Sequence, residues 1–279
     1  MSIAAEAPEQ TAVHPMTDYE KFMFDLKGFR VIPSVLTDEE IEIVRDHTQT
    51  YNKDIESLPE HHRAPMAGPS EFLIDHPRVM GILQETIDPR KERLRLESIF
   101  VSTRSTDTKD QWRPHVGGTN LDPSLSYRFH NGRIYSGMTR IVWELNEVKK
   151  GQGGTCLVPG SHKANIFSAQ EGNWPKEADD PNSGVWETYG CPAGSLVVFS
   201  EGVRHTGSDW TNPDNSRCAI LMAYNHAAVR HHEPKPCMNP TVLKNAKDFS
   251  KTSGFSETLD ETKRDSAQLE ENNFAYSEK

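Results

Sequence analysis

From residue 94 to residue 224 the chain is a series of short apolar runs separated by glycine and proline, with no helical repeat between them. Residues 94–103 carry Leu94, Leu96, Ile99 and Val101, and residues 137–148 place Thr139, Ile141, Trp143 and Leu145 at period two. The second pattern is that of a half-buried strand. Residues 155–158, 185–189 and 196–199 read as further short strands, and 218–224 as the last apolar run. Gly151-Gln152-Gly153-Gly154, Pro159-Gly160-Ser161-His162 and Pro192-Ala193-Gly194 supply the turns. Strands this short and closely spaced, without alternating helices, restrict the chain to a mostly β fold: a double-sheet barrel or jelly roll.

The N-terminal part differs. Asp18 to Leu26 reads as a short helix ended by Gly28, followed by a strand, Phe29-Arg30-Val31-Ile32, that Pro33 stops. Thr37-Asp38-Glu39-Glu40 is a capping box, with Glu40 reaching back to the start of a helix that runs to about Tyr51. Residues 52–70 hold Pro59, Pro65 and Pro69 and read as a loop, and Pro77 opens another helix. These helices are expected to pack on one sheet. The domain organisation that follows is a flexible tail over 1–16, one domain over 17–239, and an acidic C-terminal extension over 240–279.

The chemistry gathers at Trp112-Arg113-Pro114-His115-Val116-Gly117-Gly118-Thr119-Asn120-Leu121-Asp122. His115 follows a predicted strand. A second histidine, His205, ends the apolar run beginning at Gly194, and Arg217 opens the next run. Two imidazoles suit Fe(II), which normally takes a carboxylate as third ligand and keeps positions open. A planar guanidinium suits the far carboxylate of a 2-oxo acid. Trp112 and Tyr127 flank this stretch, and Arg113, Arg128, Arg133 and Arg140 cluster near it as candidates for an anionic substrate. Arg140 shares a face with Trp143 only if the strand is bulged.

Over roughly Asp18 to His226 the chain resembles the phytanoyl-CoA dioxygenase family of Fe(II)/2-oxoglutarate oxygenases. The residues that carry the resemblance are Phe29-Arg30-Val31-Ile32-Pro33, Gly153-Gly154-Thr155-Cys156-Leu157-Val158-Pro159-Gly160-Ser161-His162, Gly194-Ser195-Leu196-Val197-Val198-Phe199, His205 and Arg217. The resemblance implies a double-stranded β-helix, with Fe(II), 2-oxoglutarate and O2 as cofactor and cosubstrates. It carries the metal ligands onto His115 and His205 and the 2-oxoglutarate carboxylate partner onto Arg217. The implied reaction is hydroxylation of an unactivated C–H of a small molecule.

The family motif is His-x-Asp, and the third position here is Gly117. Halogenating relatives carry Gly or Ala at that place and bind a halide, so chloride is an alternative cosubstrate. Two acids offer another solution: Asp122, which the Gly-Gly turn brings back toward the metal, and Glu201, four residues before His205. Asp122 is the preferred third ligand on this reading. Each acid also has an ordinary role open to it, Asp122 in a turn before Pro123 and Glu201 in a pair with an arginine. A non-catalytic relative that binds a metal or a small acid is a further alternative. His162 is expected to hold its turn.

Composition bounds the partners. With a net charge of -10, nucleic acid and anionic membrane are not expected. No run approaches a membrane span, and the N-terminus lacks the basic start and apolar core of a signal peptide. Four scattered cysteines, Cys156, Cys191, Cys218 and Cys237, fit reduced thiols in a cytoplasm. The oligomeric state is not legible.

Overall fold

A computed structural model describes residues 13–117, 124–164 and 175–229. Asp122, the extension over 240–279 and residues 1–12 of the tail lie outside the described residues.

Three helices precede the sheets. Helix α1 (Asp18–Lys27) starts on a Thr17/Glu20 capping box and ends on Gly28 at φ 80°, a left-handed turn that glycine adopts without strain. Strand β1 (Phe29–Ile32) follows, then α2 (Asp38–Lys53), which opens on the expected Thr37/Glu40 box. Helix α3 (Pro77–Thr86) begins with proline, and the His76 side chain accepts from the Arg78 N–H. Residues 13–16 dock against α3 instead of belonging to a loose tail: the His14 N–H reaches Pro77 O, and Met16 is buried.

Five strands form an antiparallel sheet in the order β1, β7 (Ser195–Ser200), β5 (Met138–Glu144), β9 (Arg217–His226), β2 (Leu94–Arg104). A smaller sheet centres on β6 (Gly154–Leu157) and β8 (His205–Ser208). Single bridges extend it on both sides, so that His115, His205, Leu157 and Glu187 form one row across it. Residues 185–189, expected as a strand, contribute only that Glu187 bridge. The hairpin β3 (Tyr127–His130) and β4 (Arg133–Ser136) turns on Asn131-Gly132, both at positive φ, the signature of a tight two-residue hairpin turn.

From β5 onward successive strands alternate between the large and the small sheet, which is the winding of a jelly roll, or double-stranded β-helix. Side chains of the large sheet divide by parity. Ile141, Trp143, Leu196, Val198, Ile220, Met222 and Tyr224 pack with Phe24, Ile41, Val44, Ile82 and Leu83 of the helices. Val142, Val197, Phe199, Ala219 and Leu221 face inward and meet Leu157, Tyr189 and Trp210. The β5 strand is therefore buried on both faces along its whole length, where period-two patterning suggested one. A bulge between Leu96 and Ser98 reverses the parity of β2, so that Leu94, Leu96 and Ile99 all reach the helix side.

Candidate metal centre

The parity that fills the barrel with apolar side chains also directs charged ones into it. Arg140 and Glu144 alternate with Val142 on β5, and Arg217 alternates with Ala219 and Leu221 on β9. Arg140 thus faces away from Trp143. Glu201, two positions past Phe199, continues the inward row just beyond β7. Arg104 lies opposite Arg217 in the β2–β9 register, and directly opposed residues share a face.

His115 and His205 are brought together by backbone pairing. Each donates its amide N–H to the other's carbonyl at 2.9 Å, and the rings lie with centroids 4.3 Å apart. His205 opens β8 instead of closing β7, and His115 sits in an isolated bridge well past β2, so neither closes the strand before it as expected. In each histidine Nδ1 lies 2.7 Å from the carbonyl two residues earlier, Arg113 O and Val203 O. A carbonyl only accepts, so in the neutral ring Nδ1 carries the proton and Nε2 keeps its lone pair. This is the tautomer a metal-ligating imidazole needs, with its other nitrogen held by a backbone acceptor. His205 is buried, and burial pushes it down to about 4 against the pull of Glu201, so the ring is neutral at ordinary pH. His115 is exposed at the mouth.

Glu201 is 1% exposed. Its Oε1 accepts from Arg140 Nε, while its Oε2 is buried with no hydrogen-bond partner and lies 3.8 Å from His205 Nε2. Burial alone would raise the Glu201 carboxyl. The Arg140 guanidinium, which both pairs with it and donates to it, outweighs burial and holds it below its ordinary value, hence ionised. Two atoms each ~2.1 Å from one ion stand between about 3.0 and 4.2 Å apart, so this separation fits shared ligation. Among the described residues no three ligand-type side chains are drawn into a closed shell. The set is open, with His115 on the solvent side.

Deeper in the barrel Arg217 is 1% exposed and paired with Glu144. It donates to Glu144 at 2.5 and 3.3 Å and to Thr155 Oγ1 at 3.3 Å, and Tyr189 OH also donates to Glu144, at 2.6 Å. Arg104 has less. It donates to Ser208 O at 3.3 Å and lies against Gly207, on the same face of β8 as His205, and among the described residues it forms no ion pair. Burial and the facing Arg217 push its guanidinium down to about 10. The interior here holds two guanidiniums and one carboxylate, an excess of positive charge that an anion would balance. Arg104 was not singled out in the sequence; its signal is the cross-strand register with Arg217, which needs the β2–β9 pairing.

Other candidates fall elsewhere. Tyr127 is buried against the His162 ring and donates to Asp25. His162 Nε2 reaches Asp25 O at 3.0 Å and holds its turn to α1, as expected. Trp112 meets Trp186 edge-on and donates to Asp179 O. Arg128 is exposed, and Arg133 donates to Gln84 O.

The profile of the phytanoyl-CoA dioxygenase (PhyH) family matches residues 24–219, from the last turn of α1 to the start of β9. The chain belongs to the phytanoyl-CoA dioxygenase family. Solved structures with this fold include HygX from Streptomyces hygroscopicus with nickel and 2-oxoglutarate bound (TM-score 0.62, 19% identity, 82% of this chain and 94% of that one). EctD from S. alaskensis, with 2-oxoglutarate and 5-hydroxyectoine, aligns with a TM-score of 0.58 at 13% identity over 83% and 82% of the two chains. The carbocyclase SnoK from nogalamycin biosynthesis aligns at 0.56, with 18% identity over 75% and 83%. At these identities the likeness is one of fold. No curated protein sequence matches the chain. Among the described residues of this family member no helix is long and apolar enough to cross a membrane.

Proposed function

We propose that this chain is an Fe(II)/2-oxoglutarate oxygenase that hydroxylates an unactivated C–H of a small molecule. The observation that carries the proposal is the His115–His205 pair: two backbone-locked imidazoles, each with Nε2 free for a metal. Family membership and the iron- and 2-oxoglutarate-bound forms of HygX support the same choice of metal and cosubstrate. Iron with 2-oxoglutarate and O2 supplies the oxidising equivalents for C–H cleavage.

The chain's own residues then divide the work. His115 and His205 hold the metal through Nε2. Arg217 and Arg104 receive the distal carboxylate of 2-oxoglutarate, with Arg104 the guanidinium that still has donors to give. Gly207 separates Arg104 from His205 by two positions along β8, about 7 Å of strand, a spacing suited to a five-carbon diacid whose other end reaches the metal. Phe199, 4.8 Å from the His205 ring, together with Val142 and Leu221, keeps water from the inner side.

Hydroxylation is favoured over halogenation because the space beside Gly117 where a halide would sit is taken by the Glu201 carboxylate. A HygX structure with hygromycin B bound supports a small-molecule substrate in this fold. The buried, unpaired Cys156, Cys191 and Cys218 fit a reducing, cytoplasmic setting.

The test is formation of succinate from 2-oxoglutarate, dependent on Fe(II) and O2. Wild type is expected to form it even slowly without substrate, and His205→Ala to form none. A wild-type protein that binds Fe(II) and 2-oxoglutarate yet never yields succinate would overturn the oxygenase reading in favour of a non-catalytic binder.

A further inference from the structure

The acid missing from position 117 has a counterpart across the backbone. An ideal Cβ on Gly117 would lie 1.7 Å from Glu201 Oε2 and 2.7 Å from Glu201 Cδ, so the Glu201 carboxylate fills the volume that a side chain at 117 would enter. Backbone pairing fixes this approach, because the Gly117 N–H donates to Glu201 O at 2.9 Å beside the His115–His205 bridge. The carboxylate is also held in aim. Arg140 takes Oε1 and is itself steadied by Ser98 Oγ at 3.4 Å and by the Phe100 ring at 5.4 Å. That leaves Oε2 turned toward His205 Nε2, buried and without a partner. Leaving a buried ionised oxygen unsatisfied is costly, and a cation between it and the two imidazoles satisfies it.

We infer that Glu201, presented from the turn between β7 and β8, is the third protein ligand of the iron site, replacing the acid that Gly117 lacks. The inference rests on the oxygenase reading above. Arg140 is a positioning residue that keeps one carboxylate oxygen on the metal side. Glycine at 117 is then a requirement of this arrangement, since any side chain there displaces the ligand. The position that a halide would take is then filled by the Glu201 carboxylate.

The test is a set of anaerobic Fe(II) titrations of the full chain, with far-UV circular dichroism of each apo protein to report folding. Glu201→Ala is expected to weaken Fe(II) binding by about tenfold or more, the scale on which even supporting groups of metal sites act. Gly117→Asp alone is expected to weaken it as well, because two side chains compete for one volume. Combining Gly117→Asp with Glu201→Ala is expected to return affinity to near wild type, the acid having been moved back across the pair. If Glu201→Ala does not fold, because it leaves Arg140 buried and unpaired, Glu201→Gln keeps an acceptor for Arg140 and is read in its place. Wild-type affinity in a folded Glu201 variant, or a double variant no better than the worse single one, would overturn the assignment. His205→Ala separates the two levels: loss of iron there with retention in Glu201→Ala defeats only the Glu201 assignment, whereas retention in both defeats the metal site itself.

Discussion

Gly117 and Glu201 exclude one another: the carboxylate oxygen of one stands 1.7 Å from where the side chain of the other would begin. Either residue alone looks unremarkable, an absent ligand or a glutamate paired with an arginine. Together they set one carboxylate beside His205, in the volume that a side chain at 117 would otherwise enter.

Adding even a methyl group at 117 must push Glu201 off Arg140. Gly117→Ala is expected to lose about 1–3 kcal/mol of stability, the usual penalty for overfilling a packed site. Urea unfolding measures it. An unchanged midpoint would mean that Glu201 swings aside freely and is not held.

The two interior arginines are expected to fail differently. Arg217→Met strips the partner from a buried Glu144, and about 3–5 kcal/mol of stability should go with it. Arg104→Met breaks no ion pair among the described residues, so the fold should persist while 2-oxoglutarate binds about thirty- to a hundredfold more weakly, the equivalent of ~2–3 kcal/mol. Calorimetry of 2-oxoglutarate binding to both variants checks this. Unchanged affinity in Arg104→Met would assign the carboxylate to Arg217 alone.

His162, packed against Gly202 and Gly28, gives the protein an acid-sensitive element. Burial pushes it from its ordinary 6.5 down to about 4, and it is 1% exposed. Below 6.5 the unfolded chain takes up a proton that the folded one refuses, so stability falls as pH drops from about 6.5 to 4. That stability is whole above 6.5 and wholly lost below 4. His162→Gln should flatten the difference in unfolding free energy across this window by an amount on the order of 3 kcal/mol at most. Parallel pH profiles for wild type and variant would contradict it.

Much of the architecture is legible in local chemistry. Thr37/Glu40, Gly28 and Pro77 mark helix ends because caps are local, and the dense Gly/Pro turns mark a jelly roll. The Thr17/Glu20 box and the Asn131-Gly132 turn carry equally local signals and belong with them. The histidine pair was legible as a pair. The approach of Glu201 to His205 was not, because Asp122 and Glu201 each lie near one histidine in sequence, and it takes pairing of the 115–117 segment with the β7–β8 turn to set Glu201 against Gly117. Arg217 was found by position, while its pairing with Glu144 depends on which face of β5 turns inward. Arg104 needed the register of strands more than a hundred residues apart.

The most direct test of the iron-site account is the visible charge-transfer absorption that Fe(II) acquires when a 2-oxo acid chelates it, recorded anaerobically. Wild type titrated with Fe(II) and 2-oxoglutarate should develop the band to saturation at one iron per chain, and His205→Ala should develop none. A band of equal intensity in both proteins would contradict the assignment of the metal to the His115–His205 pair.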